Sequence, residues 1–104
     1  MKALITGSGG LIGSECVRVL CTNGWDVPGI DNDMRSWFFG PHGTSRPVLD
    51  DLIRSFPRYR HAAVDIRDRQ RIPYLFSAER PDCTLHAFRC NVADAYQIVE
   101  KTGL

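Results

Sequence analysis

A glycine-rich motif near the N-terminus has the residue types and the spacing needed to hold a dinucleotide. It reads Gly-Ser-Gly-Gly-Leu-Ile-Gly, and its evenly spaced glycines are Gly7, Gly10 and Gly13. In such a motif the first glycine allows a tight turn off a strand, the second lets a diphosphate approach the backbone, and the third lets a helix pack against the sheet. The amides that follow Gly10, including those of Leu11 and Ile12, would then point at phosphate oxygens from the positive end of the helix.

An acidic residue stands where a dinucleotide site requires one. Asp31 follows the next apolar segment, eighteen residues after Gly13. A carboxylate at that position accepts hydrogen bonds from the adenosine ribose and repels a 2′-phosphate, so the pattern favours NAD over NADP. Arg35 lies close enough in sequence to weaken that preference. The other interpretation is a glycine turn that holds no ligand.

The composition is that of an ordinary globular chain. Of its 104 residues, 43% are hydrophobic and 24% are charged, and the formal net charge is +1. These values are typical of one small folded domain and give no reason to expect nucleic acid as a partner. No apolar run approaches the ~20 residues that a membrane-spanning helix needs, so we expect no membrane partner either.

Arginines are concentrated in one stretch of the chain. Six of the eleven arginines fall within eighteen residues, and they are Arg54, Arg58, Arg60, Arg67, Arg69 and Arg71. Such a cluster would face either a phosphate or acidic partner, or solvent along a loop rim. The acidic residues interspersed with it favour a solvated surface.

The cysteines and histidines lack the spacing of a metal site. Cys16, Cys21, Cys83 and Cys90 do not form the paired C-x-x-C pattern of structural zinc. We expect buried free thiols, which favours a reducing, cytoplasmic location. His86 ends a predicted strand, and we expect it to be packed rather than catalytic.

Strand-like and helix-like segments alternate along the chain. Apolar segments predict strands at 2–6, 25–30, 59–64 and 83–87. Helical spacing predicts helices at 11–23, around 49–56, from near 72, and a last one ending near 103. This order predicts an α/β fold: one Rossmann-type, doubly wound parallel sheet of about four strands in the order 3-2-1-4, incomplete within 104 residues. Pro28 argues against the second strand, because proline cannot donate to a ladder.

Further segments carry a resemblance to a known family. They are Lys-Ala-Leu-Ile-Thr-Gly at 2–7, Gly-Ile-Asp-Asn at 29–32, Val-Asp-Ile-Arg-Asp at 64–68 and Arg-Pro-Asp at 80–82. With the glycine motif, they make residues 1 to about 82 resemble the N-terminal part of the NAD-dependent epimerase/dehydratase family of extended short-chain dehydrogenases/reductases. The segment 31–35, followed by Phe-Phe-Gly-Pro at 38–41, looks more particularly like the nucleotide-sugar epimerases that act on CDP-paratose or CDP-tyvelose.

The resemblance implies a role for each motif residue toward NAD. The pyrophosphate would be held by Gly7, Gly10, Leu11, Ile12 and Gly13. Asp31 and Asn32 would bind the adenosine ribose. Asp65 and Ile66 would flank the adenine, with the Asp65 carboxylate accepting from the exocyclic amine. An ordinary strand-end turn is the other interpretation of Asp65.

The catalytic half of the family's active site does not match. The family uses a Ser or Thr and a Tyr-x-x-x-Lys pair as its acid–base machinery, and neither Tyr59, Tyr74 nor Tyr96 is followed by lysine at the fourth position. Residues 83–104 form a divergent tail, with Phe88 where the family has a small residue. We therefore assign no catalytic residue and no metal ligand, and expect a nucleotide-sugar substrate only if a missing segment completes the site.

Two functions are open at this point. The chain is either the NAD-binding half of a nucleotide-sugar epimerase or dehydratase, inactive alone, or a non-catalytic nucleotide-binding remnant of a truncated or frameshifted gene. In both cases residues 1–104 would form a single, truncated NAD(P)-binding domain. A sheet that stops at the fourth strand leaves an exposed edge, which predicts self-association.

Overall fold

The structure is a computed structural model that describes residues 1–33 and 40–87. Its elements are β1 (Ala3–Thr6), α1 (Leu11–Thr22), β2 (Val27–Ile30), a short 3-10 helix (Pro41–Gly43), α2 (Arg46–Ser55), β3 (Tyr59–Ala62), α3 (Arg71–Glu79) and β4 (Cys83–His86). The predicted last helix, Arg35, Phe88 and Cys90 lie outside the described residues.

The four strands form one parallel sheet in the order β3-β2-β1-β4, which confirms the predicted order. All four residues of β1 are buried. A central parallel strand is covered on both faces, which explains why the sequence of β1 is continuously apolar instead of alternating.

Neighbouring residues of β1 feed two hydrophobic cores on opposite faces of the sheet. Ile5 packs in one cluster with Val17 of α1 and Leu52 of α2. Leu4 packs in the other with Val64, against partly buried residues of α3 such as Phe76. Helices α1 and α2 therefore cover one face and α3 the other, as right-handed crossovers require in this strand order. The doubly wound, Rossmann-type fold is confirmed.

Pro28 is accommodated in β2 although β2 is a central strand. On the β3 side, Pro28 pairs in register with Arg60. On the β1 side the ladder is interrupted: Lys2 and Asp26 form an isolated bridge, and pairing resumes with Ile5 opposite Gly29. The N–H that proline lacks thus coincides with a gap in the ladder, which resolves the objection raised by the sequence.

Glycine and proline mark two helix boundaries. Helix α1 ends at Thr22, and Gly24 follows with φ of +86°, a left-handed conformation that glycine adopts without a Cβ penalty. Pro73 lies in the first turn of α3, where its missing N–H would have had no intrahelical acceptor. Asp68, two residues before the N-cap Gln70, supports the start of the same helix, because its Oδ1 accepts from the N–H of Gln70 at 3.0 Å and of Arg71 at 2.9 Å.

The cysteines differ in part from expectation. Cys16, Cys21 and Cys83 are free thiols, but they are half-buried rather than buried. Cys16 and Cys21 pack against the margin of the core below α1, where burial raises the pKa of both thiols.

Candidate dinucleotide site

The glycine loop lies at the carboxyl edge of the sheet, where β1 passes into α1. The N–H of Gly7 donates to the carbonyl of Ile30 at 2.7 Å, which ties the loop to the end of β2. Because β2 and β4 flank β1 on opposite sides, the loop begins where the strand order reverses. Open parallel sheets bind their ligands in the crevice at such a switch point.

The three spaced glycines are required for different reasons. Gly7 has φ of +73°, and a Cβ on Gly13 would lie 2.0 Å from the Gly7 carbonyl oxygen. The fold itself therefore demands glycine at both positions. Gly10 has φ of −76° and ψ of 174°, and its Cβ would meet that same oxygen at 3.3 Å, so a small shift would admit a side chain. The fold itself therefore does not demand glycine at Gly10, which leaves the predicted close approach of a diphosphate as a separate reason for it.

The first turn of α1 presents open backbone amides. Its N-cap is Gly10, which has no side chain, and no acidic residue lies in the first turn. The helix's own bonding begins with the N–H of Ser14, which donates to the Gly10 carbonyl at 2.9 Å. Within the described ranges, the amides of Leu11, Ile12 and Gly13 have no acceptor. Open amides at the positive end of a helix form an anion site.

A buried hydrogen bond supports the loop from below. Ser8 Oγ and Tyr59 Oη lie 2.7 Å apart, and the two residues are 0% and 4% exposed. They meet over Gly29, where a Cβ would lie 2.5 Å from Tyr59 Cε1 and 2.6 Å from Ser8 Oγ. Burial raises the pKa of Tyr59 to about 12, so the phenol keeps its proton at neutral pH. The Ser8–Tyr59 hydrogen bond connects β3 to the glycine loop across β2 and fixes the position of the loop relative to the sheet.

Asp31 lies beside the glycine loop, at the end of β2. Its Oδ2 accepts from the N–H of Gly9 at 2.9 Å, and its Oδ1 accepts from the N–H of Asp33 at 2.7 Å. Its own N–H donates to the Ala62 carbonyl at the end of β3 at 3.2 Å. The carboxylate is half-buried, as is Asn32 after it. The structure thus brings Asp31 and the glycine loop together.

Asp65 and Ile66 follow β3 at the same edge of the sheet. The Asp65 carboxylate accepts from the Arg67 guanidinium, with Nη2 at 2.7 Å and Nε at 3.0 Å, and also from the Arg67 N–H at 2.8 Å. These hydrogen bonds lower the pKa of Asp65 to about 2. Ile66 is 36% exposed. Among the described residues, no hydrogen bond joins Asp65 to Asp31 or to the glycine loop.

Sequence reasoning missed Gly9 and Ser45. A Cβ on Gly9 would lie 2.9 Å from the Ser45 Cβ and 3.0 Å from Asp31 Oδ2, so glycine there lets the loop touch the start of α2. Ser45 is 3% exposed although it precedes a surface helix. A serine two residues before Pro47 is a recognisable helix start, but nothing local in the sequence connects it to Asp31.

The arginine cluster is largely neutralised by nearby carboxylates. Four of its six members form ion pairs: Arg54 with Asp51, Arg58 with Asp26, Arg60 with Glu79 and Arg67 with Asp65. All four guanidinium groups stay exposed, which agrees with the solvated surface favoured by the sequence.

Other chemistry-bearing features of the described residues make no hydrogen bond to Asp31 or Asp65. His86 Nδ1 lies 3.0 Å from Thr6 Oγ1, and burial lowers the pKa of His86. The part of the chain that the structure describes holds no group of three His, Cys, Asp or Glu residues able to bind a metal. None of its helices has the length and apolar character needed to cross a bilayer. An open apolar groove of about 410 Å³ runs along α1, and its lining includes the side chains of Leu11 and Ile12 but neither Asp31 nor Asp65.

Fold and site together define the class: an α/β domain whose first βα turn is built to take a dinucleotide. A model of the NAD dependent epimerase/dehydratase family matches residues 3–102. The chain belongs to this family. The match confirms NAD as the predicted cofactor and the family to which the motifs pointed.

Individual relatives agree with this assignment. The chain is 34% identical over 85 residues to a dTDP-glucose 4,6-dehydratase of Neisseria meningitidis serogroup B. The aligned region covers 82% of the chain and 22% of that protein. It is 26% identical, with a TM-score of 0.67, to a UDP-glucose-4-epimerase from Stenotrophomonas maltophila that was solved with NAD and formylated UDP-arabinopyranose. It is 25% identical, with a TM-score of 0.68, to a UDP-Glc/GlcNAc 4-epimerase from Campylobacter jejuni.

The chain spans only part of these relatives. The two structural matches cover 98% and 97% of the chain, but 29% and 28% of the respective epimerases. Activity, substrate and partners of the whole enzymes are therefore matters for proposal.

Proposed function

We propose that this chain is the NAD-binding half of a nucleotide-sugar epimerase or dehydratase. The observation that carries the proposal is the uncapped first turn of α1, whose open amides lie at the switch point of the sheet. An anion is attracted to that turn by the helix dipole and by the amides together. Asp31, next to the loop, supplies the acceptor that distinguishes an adenosine ribose from a simple anion.

Each residue then has a task along the cofactor. The glycine loop, with the amides of Leu11, Ile12 and Gly13, would hold the diphosphate. Asp31 and Asn32 would bind the ribose. The exposed side chain of Ile66 would contact the adenine, and Asp65 would accept from its amine while sharing its carboxylate with Arg67.

Bound NAD would supply a hydride acceptor for the oxidation of a sugar carbon. The residues of this chain bind and orient the adenosine and diphosphate portions. No Tyr-x-x-x-Lys pair occurs in the sequence, so acid–base groups would have to come from another segment or chain. We therefore propose that the chain is inactive alone. The segment at 31–41 supports a CDP-paratose or CDP-tyvelose type of substrate for the completed enzyme.

The first test is NAD binding by the chain itself, measured by calorimetry and by thermal shift. At a free NAD concentration of 100 Kd, bound cofactor should stabilise the fold by ~2.7 kcal/mol. We expect Gly10→Val to abolish this stabilisation while the unliganded chain still melts cooperatively, because the backbone at Gly10 accepts a side chain.

A matched control keeps this test specific. Ala78→Val adds the same two carbons beyond Cβ at an exposed position of α3, on the opposite face of the sheet. It should leave NAD binding unchanged. Equal NAD binding by wild type and Gly10→Val would overturn the proposal.

The second candidate is a non-catalytic nucleotide-binding remnant, which the missing acid–base pair favours. Assays of the chain with NAD and nucleotide sugars distinguish the two candidates. Activity that appears only when a C-terminal segment is supplied would show that the chain is the NAD-binding half of an enzyme.

In either case β4 has no strand beyond it among the described residues, which supports self-association as a proposal that sedimentation can test. A cytoplasmic location and the divergence of residues 83–104 stay predictions.

A further inference from the structure

Ser45 occupies the N-cap position of α2 but does not cap that helix. Serine at an N-cap normally accepts a hydrogen bond from the backbone N–H two or three residues on. Here the residue two positions on is Pro47, which has no N–H, and the Ser45 side chain makes no capping bond to α2. Its hydroxyl is buried and directed elsewhere.

The hydroxyl of Ser45 lies between two carboxylates and shares its single proton between them. Its Oγ lies 3.0 Å from Asp33 Oδ1 and 3.3 Å from Asp31 Oδ1. Its N–H also donates to Asp33 Oδ1, at 2.7 Å. Thr44 Oγ1 donates to the other oxygen of Asp33. Residues at the start of α2 therefore hold Asp33 by both of its oxygens.

Asp33 passes this constraint on to Asp31. It has φ of +58°, a left-handed conformation that is unfavourable for a residue with a side chain. The hydrogen bonds from Thr44 and Ser45 compensate for that conformation. The left-handed backbone in turn directs the N–H of Asp33 at Asp31 Oδ1, 2.7 Å away. Asp33 thus acts on Asp31 through its backbone as well as through the shared hydroxyl.

The Asp31 carboxylate is consequently fixed from two sides. Gly9 donates to Oδ2 from the glycine loop, and Asp33 and Ser45 donate to Oδ1 from the loop before α2. A carboxylate has about four acceptor sites, so Oδ2 keeps capacity for a further donor. A carboxylate held in place before the ligand arrives loses little rotamer entropy when it binds.

We propose that Ser45 and Asp33 are positioning and specificity residues for the ribose-binding carboxylate Asp31. Ser45 sets the orientation of Asp31. Asp33 adds a second negative charge on the other side of the same hydroxyl, which increases the repulsion of a 2′-phosphate. The inference rests on the proposed function, because it assigns Asp31 to the adenosine ribose of NAD.

The experiment measures the Kd of the full chain for NAD, NADP and inorganic diphosphate by calorimetry. We expect Ser45→Ala to weaken NAD binding about tenfold, the effect of losing one hydrogen bond to a charged group. Diphosphate should bind this variant as it binds wild type, because the amides of α1 are untouched. Ser55→Ala, at the exposed far end of α2, is the matched control and should leave all three affinities unchanged.

Asp33→Asn should change the ratio of NAD affinity to NADP affinity, a quantity that a purely structural role of Asp33 would leave unchanged. The amide keeps an acceptor for the Ser45 N–H but removes the charge, so NADP should gain severalfold relative to NAD. This variant also decides the matter if Ser45→Ala fails to fold. Unchanged NAD affinity in a folded Ser45→Ala, or an unchanged NAD-to-NADP ratio in Asp33→Asn, overturns this inference alone. Failure of folded wild-type chain to bind NAD overturns the proposed function and the inference with it.

Discussion

Two aspartates follow neighbouring strands at the same edge of the sheet, and they are held in opposite ways. Asp31, after β2, receives hydrogen bonds from Gly9 and Ser45, which lie in separate segments of the chain, and a local one from Asp33, two residues on. Asp65, after β3, receives its side-chain bonds from Arg67, two residues away and exposed. The geometry of Asp31 depends on the assembled fold, whereas that of Asp65 is set by one local turn.

The difference has a consequence for function. A carboxylate fixed by distant segments is ready for its ligand only once the chain has folded. A carboxylate paired with an exposed neighbour has to share or give up that pair when a ligand amine approaches. The ribose end of the proposed site is therefore rigid before binding, and the adenine end is adaptable. Three substitutions test this contrast.

Asp31→Ala should have the largest effect. It leaves the N–H groups of Gly9 and Asp33 without their acceptor in a half-buried place, whereas the Ser45 hydroxyl keeps Asp33 as its acceptor. Leaving such donors unpaired costs about 1–3 kcal/mol each, partly relieved by water. We expect the free energy of unfolding to fall by about 2–4 kcal/mol, measured by urea denaturation, and NAD binding to be lost. A loss of stability no greater than that of Asp65→Ala would contradict the contrast.

Tyr59→Phe should have an intermediate effect. It removes the phenol oxygen from Ser8 below the glycine loop and leaves a buried serine hydroxyl without its partner. We expect a loss of about 1–2 kcal/mol in unfolding free energy, together with weaker NAD binding because the loop is no longer held at one height. Tyr74→Phe is the matched control, since Tyr74 is 72% exposed. If both variants melt alike, the bond from Tyr59 does not support the loop.

Arg67→Ala should have the smallest effect on stability, because the ion pair is exposed and screened by salt. In the folded chain the pKa of Asp65 is lowered to about 2 from its ordinary 3.8. The ionised carboxylate therefore stabilises the fold above about pH 4, and that contribution is lost as the pH falls from about 4 to about 2. NMR titration should show the pKa of Asp65 returning toward its ordinary value in the variant. A pKa that stays near 2 would show that the Arg67 guanidinium is not its cause, since the variant keeps the N–H of residue 67.

Much of the architecture could be predicted from local pattern. Segments as short as β1 and β2 were recognisable because buried parallel strands are continuously apolar and end at glycine or aspartate. The strand order followed from the handedness of the crossovers and from a single reversal after β3. Pro28 argued against the predicted strand, and the sequence could not show that its missing N–H falls at a break in the β1–β2 ladder, because that break depends on how two strands meet.

The sequence by itself determined the family and its cofactor, because turn chemistry and strand endings are local properties: Gly7, Gly13 and Asp31 could be proposed as site residues from spacing alone. Only the tertiary structure decided what holds that site in place. Ser8 meets Tyr59 across 51 residues, and Ser45 meets Asp31 across 14. Contacts between separate segments leave no periodicity in the sequence. They arise when hydrophobic burial brings the loop, β3 and the start of α2 together, and the polar groups caught there must then satisfy one another.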